Sequence, residues 1–201
     1  DLHTAYRRQR QMCIRDRTTT ASRPSLTRAM TALVAIGAFL QIPVPYFDYF
    51  TLQFFFVVLA GMLLGRSYGA LSVGVYVLLG LAGVPIFAAG GGIGYVIRPS
   101  FGYLLGFIAA AFVTGWLTQR SKTKSFAACL GAALGGFAAT YLIGLTYKYI
   151  ILNFVSGTPA TWLVVLLSCF PLDMPGDLLL CILSALIGPR FHKWAGRKAR
   201  G

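Results

Sequence analysis

The chain has 201 residues, 57% of them hydrophobic and 11% charged, with a formal net charge of +13. That is one domain's worth of apolar sequence, with too little polar sequence for a separate soluble domain. The basic balance would suit nucleic acid, but the Lys and Arg sit in tails and short loops. Basic flanks of this kind orient membrane helices and touch anionic lipid, so the expected partner is a lipid bilayer and no nucleic acid. The four cysteines form no CxxC pair, which argues against a zinc or redox site, and no metal or cofactor is expected.

In chain order, residues 1–25 form a basic, Ser/Thr-containing tail without an apolar core, unlike a signal peptide. Its Arg-rich, acid-poor character leaves an organelle transit peptide open. Residues 12–17 (MCIRDR) match the translation of a sequencing adapter, so 1–17 are expected not to be native and carry no part of the reading. Residues 26–190 form the membrane domain and 191–201 a basic cytoplasmic tail. Between 26 and 187 only ten residues are charged, each between or at the edges of apolar runs. These runs suit a hydrocarbon core roughly 30 Å thick. The fold expected is an all-α membrane bundle of six transmembrane helices, at 26–42, 51–64, 68–82, 101–118, 126–147 and 175–187, with an outer Gly-rich loop. Several are short, which local thinning of the bilayer accommodates. Residues 160–170 read as a lid or interfacial helix, or as an extension of the last span broken by Pro171 and Pro175.

Charge sorts by side. Leaving out residues 1–17, one set of connections carries eleven Lys and Arg and the other only Arg98 and Lys148. Six spans then put both termini in the cytoplasm. Asp48, Asp173, Asp177, Thr51, Gln53, Arg98 and the glycines of 88–94 fall together on the outer side, which is the layout of a protein that captures something from outside.

Each polar group there has a structural and a functional reading. Asp177, after Pro175-Gly176, is expected to open the last helix as an N-cap, and a cap still leaves its other oxygen free to accept from a ligand. Arg98 ends the Gly-rich loop. It either snorkels to lipid phosphate or grips a ligand carboxylate with two parallel bonds. Gly91 belongs to a run whose backbone can approach a ligand closely. Gln53 and Thr51 follow the aromatic stretch 46–50, where Tyr46 sits in a headgroup belt or lines a slot for a flat ring. Lys148, between Tyr147 and Tyr149, reads as an interfacial anchor, and Asp173 as a solvated loop residue or, second to that, a partner for Arg98. The GxSxG match at 65–69 is expected to be a tight cytoplasmic turn, since the only histidines, His3 and His192, lie in tails. Paired glycines at 61/65, 102/106 and 131/135 mark helix packing. There is no GxxxxGK[ST] phosphate loop and no acidic cluster within a span, so capture requires a partner or passive movement.

The stretches 51–53 (TLQ), 80–88 (GLAGVPIFA), 98–103 (RPSFGY) and 175–177 (PGD) resemble the BioY family, the biotin-binding S components of energy-coupling factor (ECF) transporters. The resemblance covers residues 26 to about 190. It implies a six-helix S-component fold, an outward-facing biotin pocket, and docking onto a shared ECF transmembrane subunit and two ATPase subunits, with tilting of the whole chain to deliver cargo. It points Thr27, Thr31 and Ala35 toward that partner, although the same spacing serves packing within the domain. Asp177 suits the ureido N–H donors of biotin, Arg98 its carboxylate, and Tyr and Phe its rings. The substrate-binding residues expected are Asp177, Arg98, Gln53, Gly91, Tyr95 and Tyr46. Two departures stand out: Leu180 where members commonly carry Lys, and Arg98 where many carry Gly. Either Arg98 substitutes for that Lys or the ligand differs. The expected function is vitamin capture, without catalysis, in the cell membrane of a prokaryote. The alternatives are an S component for another small carboxylate or vitamin, and a membrane assembly subunit without a ligand.

Overall fold

The computed structural model describes residues 24–42, 50–123, 125–169 and 173–198. The tail through residue 23, with the segment set aside at 1–17, and Tyr46 therefore lie outside the described residues. Helix α1 (Pro24–Phe39) is followed by strands β1 (Gln41–Ile42) and β2 (Phe50–Thr51). Then come α2 (Gln53–Leu81), α3 (Phe101–Arg120), α4 (Phe126–Ile150), the short α5 (Trp162–Leu167) and α6 (Asp173–Lys198). The two strands form a minimal antiparallel ladder, with Gln41 opposite Thr51 and Ile42 opposite Phe50.

Helix α2 contains two of the expected spans. Gly65 adopts φ 79° and ψ −178°, a conformation open essentially to glycine alone, and the chain reverses there. A Cβ on Gly69 would stand 2.9 Å from Gly61 Cα. Eight residues along a straight helix would separate them by about 12 Å. The turn is thus Gly65 itself, and the rest of the turn expected at 65–69 is already helical. The arms 53–64 and 66–81 are about 18 and 24 Å long. With α1, α3, α4 and α6 they account for the six spans. Helix α4 continues through a wide turn, Ile151–Val155, which extends it past the expected end at 147.

The bundle is held by close backbone approach and aromatic packing. Helices α2, α3, α4 and α6 pack in that order, with α6 closing back on α2. Gly106 lets α3 approach Thr140 of α4, where an added Cβ would sit 2.8 Å from the Thr140 carbonyl. Of the remaining paired glycines, Gly61 faces the Ala111 carbonyl and Gly102 the Tyr147 side chain, whereas Gly131 faces open space. Tyr76, Phe54, Phe87, Val57 and Val73 are fully buried at the centre. Outward positions are apolar as well: Leu78, Leu142 and Leu179 are each about two-thirds exposed or more, as lipid-facing residues are. Among the described residues, α3 and the run Phe126–Val155 have mean hydropathies of 1.6 and 1.8 over 18-residue windows, sufficient for a membrane span, and the two arms of α2 taken together reach 1.6.

The Thr27/Thr31/Ala35 stripe turns inward. Thr27 is buried and Thr31 Oγ1 donates to the Ser72 carbonyl at 2.9 Å, so these small residues seat α1 on the second arm of α2. At the Gly65 end, Gly115 packs on Arg66 and Gly188 lies beside Met62 and Cys129. Arg66, Arg120 and Lys122 share that end, opposite the start of α2 and of α6.

Candidate functional site: a polar-headed cavity at the Asp177 end

A cavity opens at the end of the bundle where α2, α3 and α6 begin and α4 finishes. It takes in about 750 Å³ of non-atom space, open solvent at its mouth included. Helical periodicity builds the walls. Ser100, Tyr103, Leu104 and Phe107 come from one face at the start of α3, Tyr141 and Lys148 from α4 two turns apart, and Asp173 and Asp177 from α6 one turn apart. Thr51, Gln53 and Phe54 enter from the start of α2, and Ala88 and Tyr95 from the loop between α2 and α3.

That loop is anchored so that Tyr95 stays in place. Tyr76 Oη donates to the Ile86 carbonyl at 3.1 Å, and Gly92 N–H to the Gly80 carbonyl at 2.7 Å. Phe87 fills the space over Gly80 and packs on Tyr95 with ring centroids 4.7 Å apart. A single 3-10 turn, Ile93–Ile97, then buries Tyr95 and exposes Ile93 and Ile97.

Asp177 is not an N-cap. Helix α6 begins at Asp173, so Asp177 stands one turn inside. Pro175 lies in the first turn, where its missing N–H is one of those without an intrahelical partner anyway. Asp177 Oδ2 instead accepts from Tyr141 Oη at 2.9 Å. Its other oxygen has no hydrogen-bond partner among the described residues and is available to a donor in the cavity. Gln53 is 3% exposed; its Nε2 makes no hydrogen bond of full geometry among the described residues, and the neighbouring group it interacts with is the Tyr76 hydroxyl, itself a donor to the Ile86 carbonyl. A buried amide donor left unpaired costs about 1–3 kcal/mol unless something in the cavity accepts from it.

Of the six expected binding residues, Asp177, Gln53 and Tyr95 share this cavity. Arg98 does not line it: the side chain is exposed, with its guanidinium 5.4 Å from the Tyr95 ring centroid. Gly91 packs on the Val84 carbonyl and also stays outside the lining. Lys148 and Asp173, read from sequence as anchor and loop residue, both line it. Tyr141 had no sequence signal of its own, being one Tyr in an apolar run, and only its contact with Asp177 marks it. Leu180 is buried in the apolar core. Among the described residues no three His, Cys, Asp or Glu side chains group as metal ligands.

The lining residues Lys148 and Tyr103 meet Ser168 and Cys169, which follow the end of α5. Asn153 holds the connection to α5 with bonds to the Tyr149 carbonyl (3.0 Å), the Ala160 carbonyl (3.0 Å) and the Ala160 N–H (3.2 Å). Trp162 stacks on Tyr149 at 4.4 Å and 7°. At its other end Cys169 Sγ lies 2.8 Å from Tyr103 Oη.

Comparison with known proteins agrees with this geometry. The chain matches the BioY family over residues 12–197. It is 41% identical over 162 residues to the probable biotin transporter BioY of Lysinibacillus sphaericus, covering 81% of this chain and 82% of the relative. To the biotin transporter BioY of Thermotoga maritima it is 37% identical over 174 residues, covering 81% and 91%. A solved S-component for biotin from an ECF-type ABC transporter superposes with a TM-score of 0.75 at 28% identity, over 88% of this chain and 93% of that one. With the same six-span bundle and a family match over nearly its whole length, the chain belongs to the BioY family of membrane transport proteins.

Proposed function

We propose that this chain is the biotin-capture subunit of an ECF-type vitamin importer, without catalytic activity of its own. The observation that carries the reading is the pairing, in one cavity, of a carboxyl acceptor oriented by Tyr141 with the buried Gln53 amide. A ureido group presents the complementary set, two N–H donors beside one carbonyl acceptor. Asp177 takes the N–H groups, Gln53 Nε2 donates to the carbonyl, and Tyr95, Tyr103 and Phe107 flank the rings. The basic cluster at the Gly65 end supports placing that end in the cytoplasm, with both termini, and the cavity at the outer face of a prokaryotic cell membrane. The chain carries no phosphate-binding loop, so inward delivery falls to an ECF transmembrane subunit with two ATPase subunits. Saturable binding of biotin by the purified chain, lost in Asp177→Asn, is the expected result; a folded chain that leaves biotin unbound overturns the assignment.

A further inference from the structure

We infer that Lys148 is the residue that reads the acidic end of the ligand, and that Arg98 is not. The inference rests on the biotin reading and assigns the other end of the same site. Lys148 is the one cation lining the cavity among the described residues. Its Nζ donates to Ser168 Oγ at 2.9 Å and lies 3.8 Å from Cys169 Sγ. Ser168 in turn donates to the Val165 carbonyl at 2.7 Å, so the hydroxyl is committed as donor to its own helix and offers Lys148 a lone pair. Both partners of the ammonium are neutral. At least one of its three hydrogens is unused, in a cavity whose lining also includes Asp173 and Asp177. An ammonium held at the cavity wall by neutral hydrogen-bond partners is a seat for an anion.

Position agrees with charge. Tyr141, which orients Asp177, and Lys148 are seven residues apart on α4, so they share a face and are separated by about 10 Å along the axis. A ligand whose polar head engages Asp177 and whose carboxylate sits on a short aliphatic arm spans that distance, with its acidic end at Lys148. Arg98 lacks this placement: its guanidinium stacks on Tyr95 and lies outside the cavity lining. The same arrangement makes Ser168 the stand-in partner of Lys148 when no anion is bound, which ties the seat to the C-terminal turn of α5.

The test is the ratio of affinities for biotin and its neutral carboxamide, measured by calorimetric titration of the full chain, Lys148→Met, Lys148→Arg and Arg98→Ala. The unaltered chain is expected to prefer the acid by about 30-fold, in the range of a charge-assisted bond in a cavity. Lys148→Met is expected to abolish that preference through weaker acid binding, with amide binding within about threefold of the unaltered chain, a difference of under about 0.7 kcal/mol. Lys148→Arg is expected to restore most of the preference. Retained amide binding certifies that Lys148→Met is folded. A preference that survives in Lys148→Met, or that disappears in Arg98→Ala instead, overturns the inference and leaves the biotin reading standing. Binding of neither compound by the unaltered chain overturns both.

Discussion

Removing the Tyr141 hydroxyl isolates the contact on which the polar head of the site depends. Tyr141→Phe keeps a ring of the same shape, so the tilted packing on Phe137 at 4.5 Å and the edge contact with Tyr103 at 6.0 Å are retained. What is lost is the single bond to Asp177 Oδ2 at 2.9 Å. No other hydrogen bond to the Asp177 carboxyl is formed by the described residues, so without Tyr141 it loses its orientation. A hydrogen bond to a charged group contributes about 1.5–3 kcal/mol, equivalent to about 10- to 150-fold in affinity. The account predicts a loss of this size for biotin and an equal loss for biotinamide, because the perturbation lies at the head and not at the acid. Calorimetric titration of both compounds reads this out. Biotin affinity within about twofold of the unaltered chain, or a loss confined to the acid, would refute the role given to Tyr141.

Two further variants test the scaffold. Gly69→Ala places a Cβ 2.9 Å from Gly61 Cα and 3.0 Å from the Ala60 carbonyl, both backbone, so the arms of α2 must part. Overpacking of this kind costs about 1–3 kcal/mol and is expected to lower the thermal midpoint of the detergent-solubilised chain; an unchanged midpoint would contradict the hairpin geometry. Asn153→Ala removes the three bonds that hold the approach to α5, and faster cleavage by proteinase K within 156–161 is expected with little change in the midpoint.

The transmembrane layout was legible because nearly continuous apolar sequence, with its few charges confined to the edges of the runs, suits a bilayer and not a soluble core, and Gly65 supplied the punctuation between the second and third spans. Asp177 and Gln53 were legible because the sorting of charge gathered them, with few other polar side chains, at the outer ends of apolar runs. What sequence could not supply is which side of a wall a charge occupies. Arg98 and Lys148 are both outer-end cations beside aromatic residues, and by composition they are interchangeable. Only the 3-10 turn that buries Tyr95 and exposes Arg98, and the phase of α4 that turns Lys148 toward Tyr141, separate them. The Thr27/Thr31/Ala35 stripe shows the same limit, since small residues at helical spacing permit close approach without saying to what. Asp177 as an N-cap failed because Pro175 was read as the helix boundary, whereas a proline within the first turn leaves the helix free to begin before it.

Calorimetric titration of biotin into the purified chain tests the central claim most directly. The account predicts saturable one-to-one binding that is lost in Asp177→Asn, because an amide at that position offers a donor to the ureido N–H groups on one of its two atoms. A folded chain that binds no biotin, or an Asp177→Asn variant that binds it as tightly as the unaltered chain, would contradict the account.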